Sequence, residues 1–166
     1  IKASLHEGGR FVTSDIIGRN GHQRWPEALE QVQALWKDLP DRCRYNVLMS
    51  RHEAEYINHD CSTEGFEGVR AQDILPLLVE RFDFPVFLAF ANVIAPFVDR
   101  AFGHHFDPLS ETDRAFIDRI HAIDEEGFRT GTLKPTQMLA VMSPVPVDSH
   151  VFARGLTPRG SIRVPD

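Results

Sequence analysis

The sequence predicts a mixed α/β fold, and three observations carry that expectation. Short apolar segments bounded by Gly, Asn and Pro recur at residues 10–17, 84–91 and 135–142 and read as strands. Between them lie stretches whose apolar residues repeat at helical spacing. One strand segment, "FPVFLAFA", is apolar without interruption, the pattern of a strand buried on both faces. Helical crossovers between apolar strands are what an α/β sheet requires.

The elements follow in order. Gly8-Gly9 makes a turn, and "RFVTSDII" is the first strand, ending near the carboxylate of Asp15. "GRNGH" is a loop, because two glycines and an asparagine tolerate positive φ. "WPEALEQVQALWKDL" is a helix: Pro26 suits its first turn and Glu27 the positive end of its dipole. Trp25, Ala28, Leu29, Val32, Leu35 and Trp36 share one face, and Pro40 ends the element. Residues 44–68 read as irregular chain holding one short strand near residues 56–59. The helical pattern of "VRAQDILPLLVERF" conflicts with Pro76, so this helix either starts near Leu75 or kinks at the proline. After the strand "FPVFLAFA" come a short helix, "NVIAPFVDRAF", and a long one, "DPLSETDRAFIDRIHAIDEEGF". In the long helix Ser110 and Asp113 resemble a capping box, Phe116, Ile117, Ile120 and Ile123 form the apolar face, and Gly127 and Gly131 supply the end. His104 and His105 fall in the turn before it, anchored by Phe102 and Phe106. "PTQMLAVM" is the last strand. Residues 143–166 are rich in Pro, Gly, Ser and Arg and lack periodicity, so they read as a linker or tail behind a partial domain spanning 1–142.

Bulk composition narrows the function. The chain has 166 residues and a formal charge of -6, with no basic block, which weighs against nucleic acid and against an anionic membrane as partners. Cys43 and Cys61 make neither a disulfide framework nor a zinc spacing, so the expected compartment is a reducing cytoplasm. The most apolar stretch, residues 84–98, is broken by Asn92 and Pro96 and is shorter than the roughly 18 residues that span a bilayer. The chain opens on Ile1, no signal peptide precedes the first turn, and three or four strands are few for a doubly wound domain. The expectation is half a fold, a fragment or processed product. Its first strand would then present an unpaired apolar edge prone to self-association.

The motif "L-x-x-GG-x-F-x-x-x-D" at Leu5–Asp15 resembles the segment entering the fifth strand of class I S-adenosylmethionine (SAM)-dependent methyltransferases. "ILPLLVERFDFPVFLAF" looks like that family's next helix and sixth strand, and "PTQMLAVM" falls where its antiparallel seventh strand belongs. The longer string "GRNGHQRWPEAL … HDCSTEGFEGVRAQDILPLL … VDRAFGHHFD" is similar to one bacterial subgroup of these enzymes. The resemblance covers about residues 1 to 142. It implies the C-terminal half of a Rossmann-like methyltransferase sheet with helical insertions. It also implies SAM as cofactor and a small-molecule or carbohydrate-like methyl acceptor. The family's glycine-rich loop and the acidic residue ending its second strand have no counterpart here. The isolated chain is therefore expected to bind SAM poorly and to be inactive alone, and no residue is assigned to the cofactor.

Sites in open α/β sheets lie beyond the carboxyl ends of strands. Asp15 and the loop "IIGRNGHQRW" occupy that position after the first strand, so Asp15, Asn20, Arg24 and Trp25 are expected on the substrate side, with His22 as a base. The polar stretch "NHDCSTEGFEGVRAQD" adds Asp60 as a second catalytic candidate and Arg70 as a substrate-binding one, among His59, Cys61, Glu64, Glu67 and Asp73. Consecutive His59, Asp60 and Cys61 point to alternating sides of an extended chain and do not readily share an ion, so no metal is expected. Two other readings compete with the methyltransferase: a non-catalytic α/β interaction module, and a metal-dependent hydrolase built on His59, Asp60, His104 and His105.

Overall fold

The structure, a computed structural model, describes residues 1–163. Its strands are β1 (Phe11–Ile16), β2 (Tyr45–Asn46), β3 (Arg51–His52), β4 (Asp83–Phe90), β5 (Gln137–Ser143) and β6 (Val151–Phe152). Its α-helices are α1 (Pro26–Asp38), α2 (Ala71–Val79), α3 (Ala95–Val98) and α4 (Glu111–Thr130). The fold is mixed α/β. The chain divides into two compact units, one formed by Ile1–Gln23, Asp60–Phe90 and the segment from Lys134 on, the other by Arg24–His59 and Ala91–Leu133. Among the described residues no helix is long and apolar enough to cross a membrane.

The first unit is built on a four-stranded sheet in the order β1-β5-β4-β6. β5 runs antiparallel to both neighbours, pairing Phe11 with Met142 on one side and Phe87 with Ala140 on the other. β6 runs parallel to β4. The register of β4 slips between Asp83 and Val86, where Pro85 has no N–H to donate to a ladder. Period-two alternation sends Met138, Ala140 and Met142 of β5 to one face. There they pack with Phe84, Phe87 and Ala89 of β4, with Ile17, and with Leu75 of α2. Ile74, Leu78 and Val79 extend the contact along α2. Pro76 lies inside α2, which starts five residues before it, so the helix does not begin near Leu75. Apolar contacts on both sides of the ring outweigh the one backbone bond it removes.

Two features of this sheet depart from expectation. β4 was expected to be buried on both faces, but only one is fully covered: Val86, Leu88 and Phe90 on the other are half-buried. On that second face the register aligns Val12, Val141, Val86 and Val151 in one row across all four strands. The two outer valines are 59% and 60% exposed. Residues 143–163, read as linker or tail, are fastened to the sheet. Val151 and Phe152 pair with Val86 and Phe87, and Phe152, Leu156 and Ile162 pack against the core. Asp83 ties this segment down: its Oδ2 accepts from Val147 N at 2.7 Å, and its Oδ1 lies 2.9 Å from His150 Nε2. Three anchors at irregular spacing in a turn-rich segment leave no periodic trace in the sequence.

In the second unit α1 buries Ala28, Val32, Leu35 and Trp36, as its spacing predicts. The Trp36 ring meets those of Tyr56, Phe97 and Phe102, and its Nε1 donates to Glu53 O at 3.0 Å. No strand forms at residues 56–59; a hairpin forms instead between β2 and β3. The amide of Asn58 stands in for a strand there, accepting from Arg24 N at 2.7 Å and donating to Arg24 O at 3.2 Å. Ser110 caps α4, its Oγ accepting from Asp113 N at 3.3 Å. Gly127 does not end this helix. It lies inside because Leu133 packs where its Cβ would be, 2.5 Å from that side chain, and Gly131 at φ +77 supplies the end. Buried Asp124 accepts from the N–H groups of Asn92, Val93 and Ile94 at 2.8–3.2 Å, which fixes the turn leaving β4. Burial pushes its carboxyl above the ordinary range, against those three donors.

Candidate functional site

The carboxyl end of β1 opens onto a cavity of about 390 Å³ lined by Ser14, Asp15, Ile16, His22, Glu67, Gly68 and Gln137. Beyond the strand, Ile17 N donates to Thr136 O at 2.8 Å and Gly18 lies directly against the Thr136 side chain. The chain then enters the tight turn Asn20–His22, where Gly21 and His22 both have positive φ, 66 and 58. Only glycine adopts that conformation freely, and for His22 it is a strained one.

Three sets of contacts hold this turn. Gly21 N donates to Gly68 O at 2.8 Å. Asn20 and Gln72 exchange bonds, each side chain accepting from the other's backbone N–H at 3.3 Å. The carboxylate of Asp60 lies against Gly21, where a Cβ would come within 1.9 Å of Oδ1. Asp60 is itself fixed by Ser62, whose N–H and hydroxyl donate to Oδ1 at 2.9 and 2.5 Å. The His22 ring lies against Gly68, whose own φ is 70, and its Nδ1 is 3.7 Å from Glu67 Oε1. Glycine at both positions lets two loops approach closely enough to set the ring at the cavity wall.

Asp15 and His22, expected on the substrate side, therefore line one cavity. Asn20 fastens the turn to α2, and Asp60 backs Gly21; neither lines the cavity. Arg70 is exposed and donates through Nε to Asp73 Oδ2 at 2.7 Å. Arg24 and Trp25 belong to the second unit. Arg24 is buried there with Nη1 donating to Asn92 O at 3.0 Å, and the Trp25 carbonyl accepts from Ala28 and Leu29 at the start of α1. Ser14, Gly68 and Gln137 join the site without having been singled out. Ser14 and Ile16 share a face of β1 and Gln137 faces Ile16 across the ladder, a relation that exists only once β1 and β5 are paired.

Burial pushes the Cys61 thiol up, and the neighbouring carboxylates of Glu67, Asp60 and Glu64 push it further against the bond from its own backbone. The sulfur stays a thiol at neutral pH and is a poor nucleophile. Among the described residues no group of three or more His, Cys, Asp or Glu side chains is placed to hold a metal ion. His105 Nε2 lies 2.7 Å from Tyr45 O, and Phe106 stacks on Phe116, so the "FGHHFD" turn is tied into the second unit. A second cavity of about 430 Å³ is lined by Gln31 of α1, by Arg119, Ala122, Ile123, Glu126 and Gly127 of α4, and by Thr132.

The chain matches no protein-family profile, no curated protein and no solved structure.

Proposed function

We propose that this chain is the C-terminal, acceptor-binding portion of a SAM-dependent methyltransferase working in the cytoplasm, with a small polar molecule as methyl acceptor. The observation that carries the proposal is the convergence of Asp15 and His22 on one cavity at the carboxyl end of β1. The sheet supports it too: β1 and β4 run in one direction with β5 antiparallel between them, the orientation the resemblance implies for its last strand. The half-exposed valine face is consistent with a half-fold whose second face is covered by further chain.

In this reading His22 is the base that takes a proton from the acceptor, Asp15 orients the acceptor, and Asp60 is a positioning residue acting through Gly21. When bound, SAM supplies an electrophilic methyl group. The lining of this cavity does not make a site for it: polar side chains surround it, Ile16 is its one large apolar side chain, and none of its residues offers a slot for an adenine ring. The role assigned to this chain therefore ends at the acceptor.

The test uses the chain together with whatever coding sequence lies upstream of Ile1, tritiated SAM and a panel of small amines, alcohols and carboxylic acids. Transfer of label is expected. His22→Asn, which tolerates the same backbone conformation, is expected to lower kcat by about 100-fold with KM little changed. Absence of transfer to every acceptor would remove the methyltransferase and favour the non-catalytic interaction module, a reading in which the valine row is the contact surface.

A further inference from the structure

The two nitrogens of the His22 ring meet different surroundings. Nδ1 lies 3.7 Å from Glu67 Oε1, a carboxylate that lines the same cavity. The opposite edge lies over Gly68, where a Cβ would come within 2.8 Å of Cδ2 and 3.0 Å of Nε2. Glycine at 68 therefore leaves the Nε2 edge uncrowded by a side chain. The two contacts come from consecutive residues, and one backbone bond sets both: Gly68 O accepts from Gly21 N at 2.8 Å, next to His22. The ring has little room to turn away, since its backbone holds φ 58 and its side chain is 19% exposed. A second carboxylate at this turn, Asp60, is directed at Gly21, with Oδ1 accepting from Ser62.

A carboxylate beside one imidazole nitrogen favours the proton on that nitrogen and leaves the lone pair on the other. It also stabilises the imidazolium that forms when the second nitrogen takes a proton. At 3.7 Å the carboxylate acts on the ring through its charge, and contacts of this kind shorten when a reacting molecule binds.

We infer that Glu67 is the positioning residue for His22: its carboxylate holds the ring proton on Nδ1 and keeps the lone pair on Nε2. The inference rests on the reading of His22 as the base, given above. The proton leaving the acceptor goes to Nε2, and Glu67, ionised throughout, offsets the charge that appears on the ring.

The experiment is ¹H–¹⁵N NMR of the full chain with ¹⁵N-labelled histidine, at about pH 8.5, above the ordinary imidazole range. The shifts of the two ring nitrogens show which one carries the proton, and His22→Asn identifies the signals of His22. The native chain is expected to carry it on Nδ1. Glu67→Ala is expected to move the tautomer ratio about fivefold toward Nε2–H. Glu64→Gln, which removes a charge from the same loop, is expected to leave the ratio in place. Glu67 is 67% exposed, so its truncation tests the ring and leaves folding intact. A native ring protonated at Nε2, a ratio unmoved by Glu67→Ala, or an equal change in Glu64→Gln would each overturn the inference. In the methyl-transfer assay Glu67→Ala is expected to lower kcat about tenfold with KM little changed, and an unchanged kcat would overturn it too. The two readings fail separately. An Nδ1–H ring with no transfer to any acceptor would sink the methyltransferase and leave the hold of Glu67 on the ring standing; transfer by a chain whose His22 is protonated at Nε2 would do the reverse.

Discussion

Gly21 and Asp60 form the contact on which the placement of His22 depends. The glycine has φ 66, and the Asp60 carboxylate fills the space a side chain would need. Gly21→Ala is expected to destabilise the first unit by about 1–3 kcal/mol, from backbone strain and the clash together. Asp60→Ala in the same background removes the clash and leaves the strain. Urea unfolding of the two single variants and the double variant should therefore show the double more stable than the sum of the singles predicts. Additive effects would mean that Asp60 does not hold the turn. "GRNGH" announces a turn with positive φ in the sequence, but not which of its residues takes that conformation. Gly21 and His22 both do, with Asp60 packed against the glycine and Gly68 against the His22 ring, both distant in the chain.

Among the elements, β6 shows most clearly how a tertiary bond replaces a local signal. Two residues of strand pairing would be marginal without Asp83, which accepts from Val147 and meets His150. Burial works to raise the Asp83 carboxyl, but the bonds from Val147 N, His150 and Phe84 N outweigh it and hold the group below its ordinary value of 3.8. An aspartate depressed in the folded state adds stability above its unfolded pKa and loses it as pH falls through the folded one. The stability gap between the native chain and Asp83→Asn is thus expected to be full at pH 5 and to shrink below about pH 4. Urea midpoints of both proteins at pH 5 and pH 3 would show it, and a gap that widened in acid would contradict the assignment. The helices needed less help from tertiary contacts. α1 and α4 carry their apolar stripes and Ser110 its cap in the sequence, whereas the extent of α2 across Pro76 depended on the core beneath it.

For the whole molecule, the open side of the sheet matters most. β1 is an edge strand, and the valine row crosses a face whose outer members remain exposed. An edge of this kind is a template for pairing with another chain. The chain is expected to self-associate with rising concentration, and Val12→Lys, which places a charge on the edge, to shift it toward monomer. Sedimentation velocity over a concentration series would measure both. A native chain that stayed monomeric at every concentration would show the edge to be already protected.

The sequence by itself determined the α/β class, the three long strands, the two main amphipathic helices and the turn that carries His22. These rest on local periodicity and on the conformational demands of Gly and Pro, which act within a few residues. Tertiary structure decided the rest: the register of β5 between its neighbours, the one-sided burial of β4, the return of the C-terminal segment, and the meeting of Asp15, His22, Glu67 and Gln137 at one cavity. Strand register and loop closure join residues more than a hundred positions apart, and nothing in their immediate neighbours records which pair will meet.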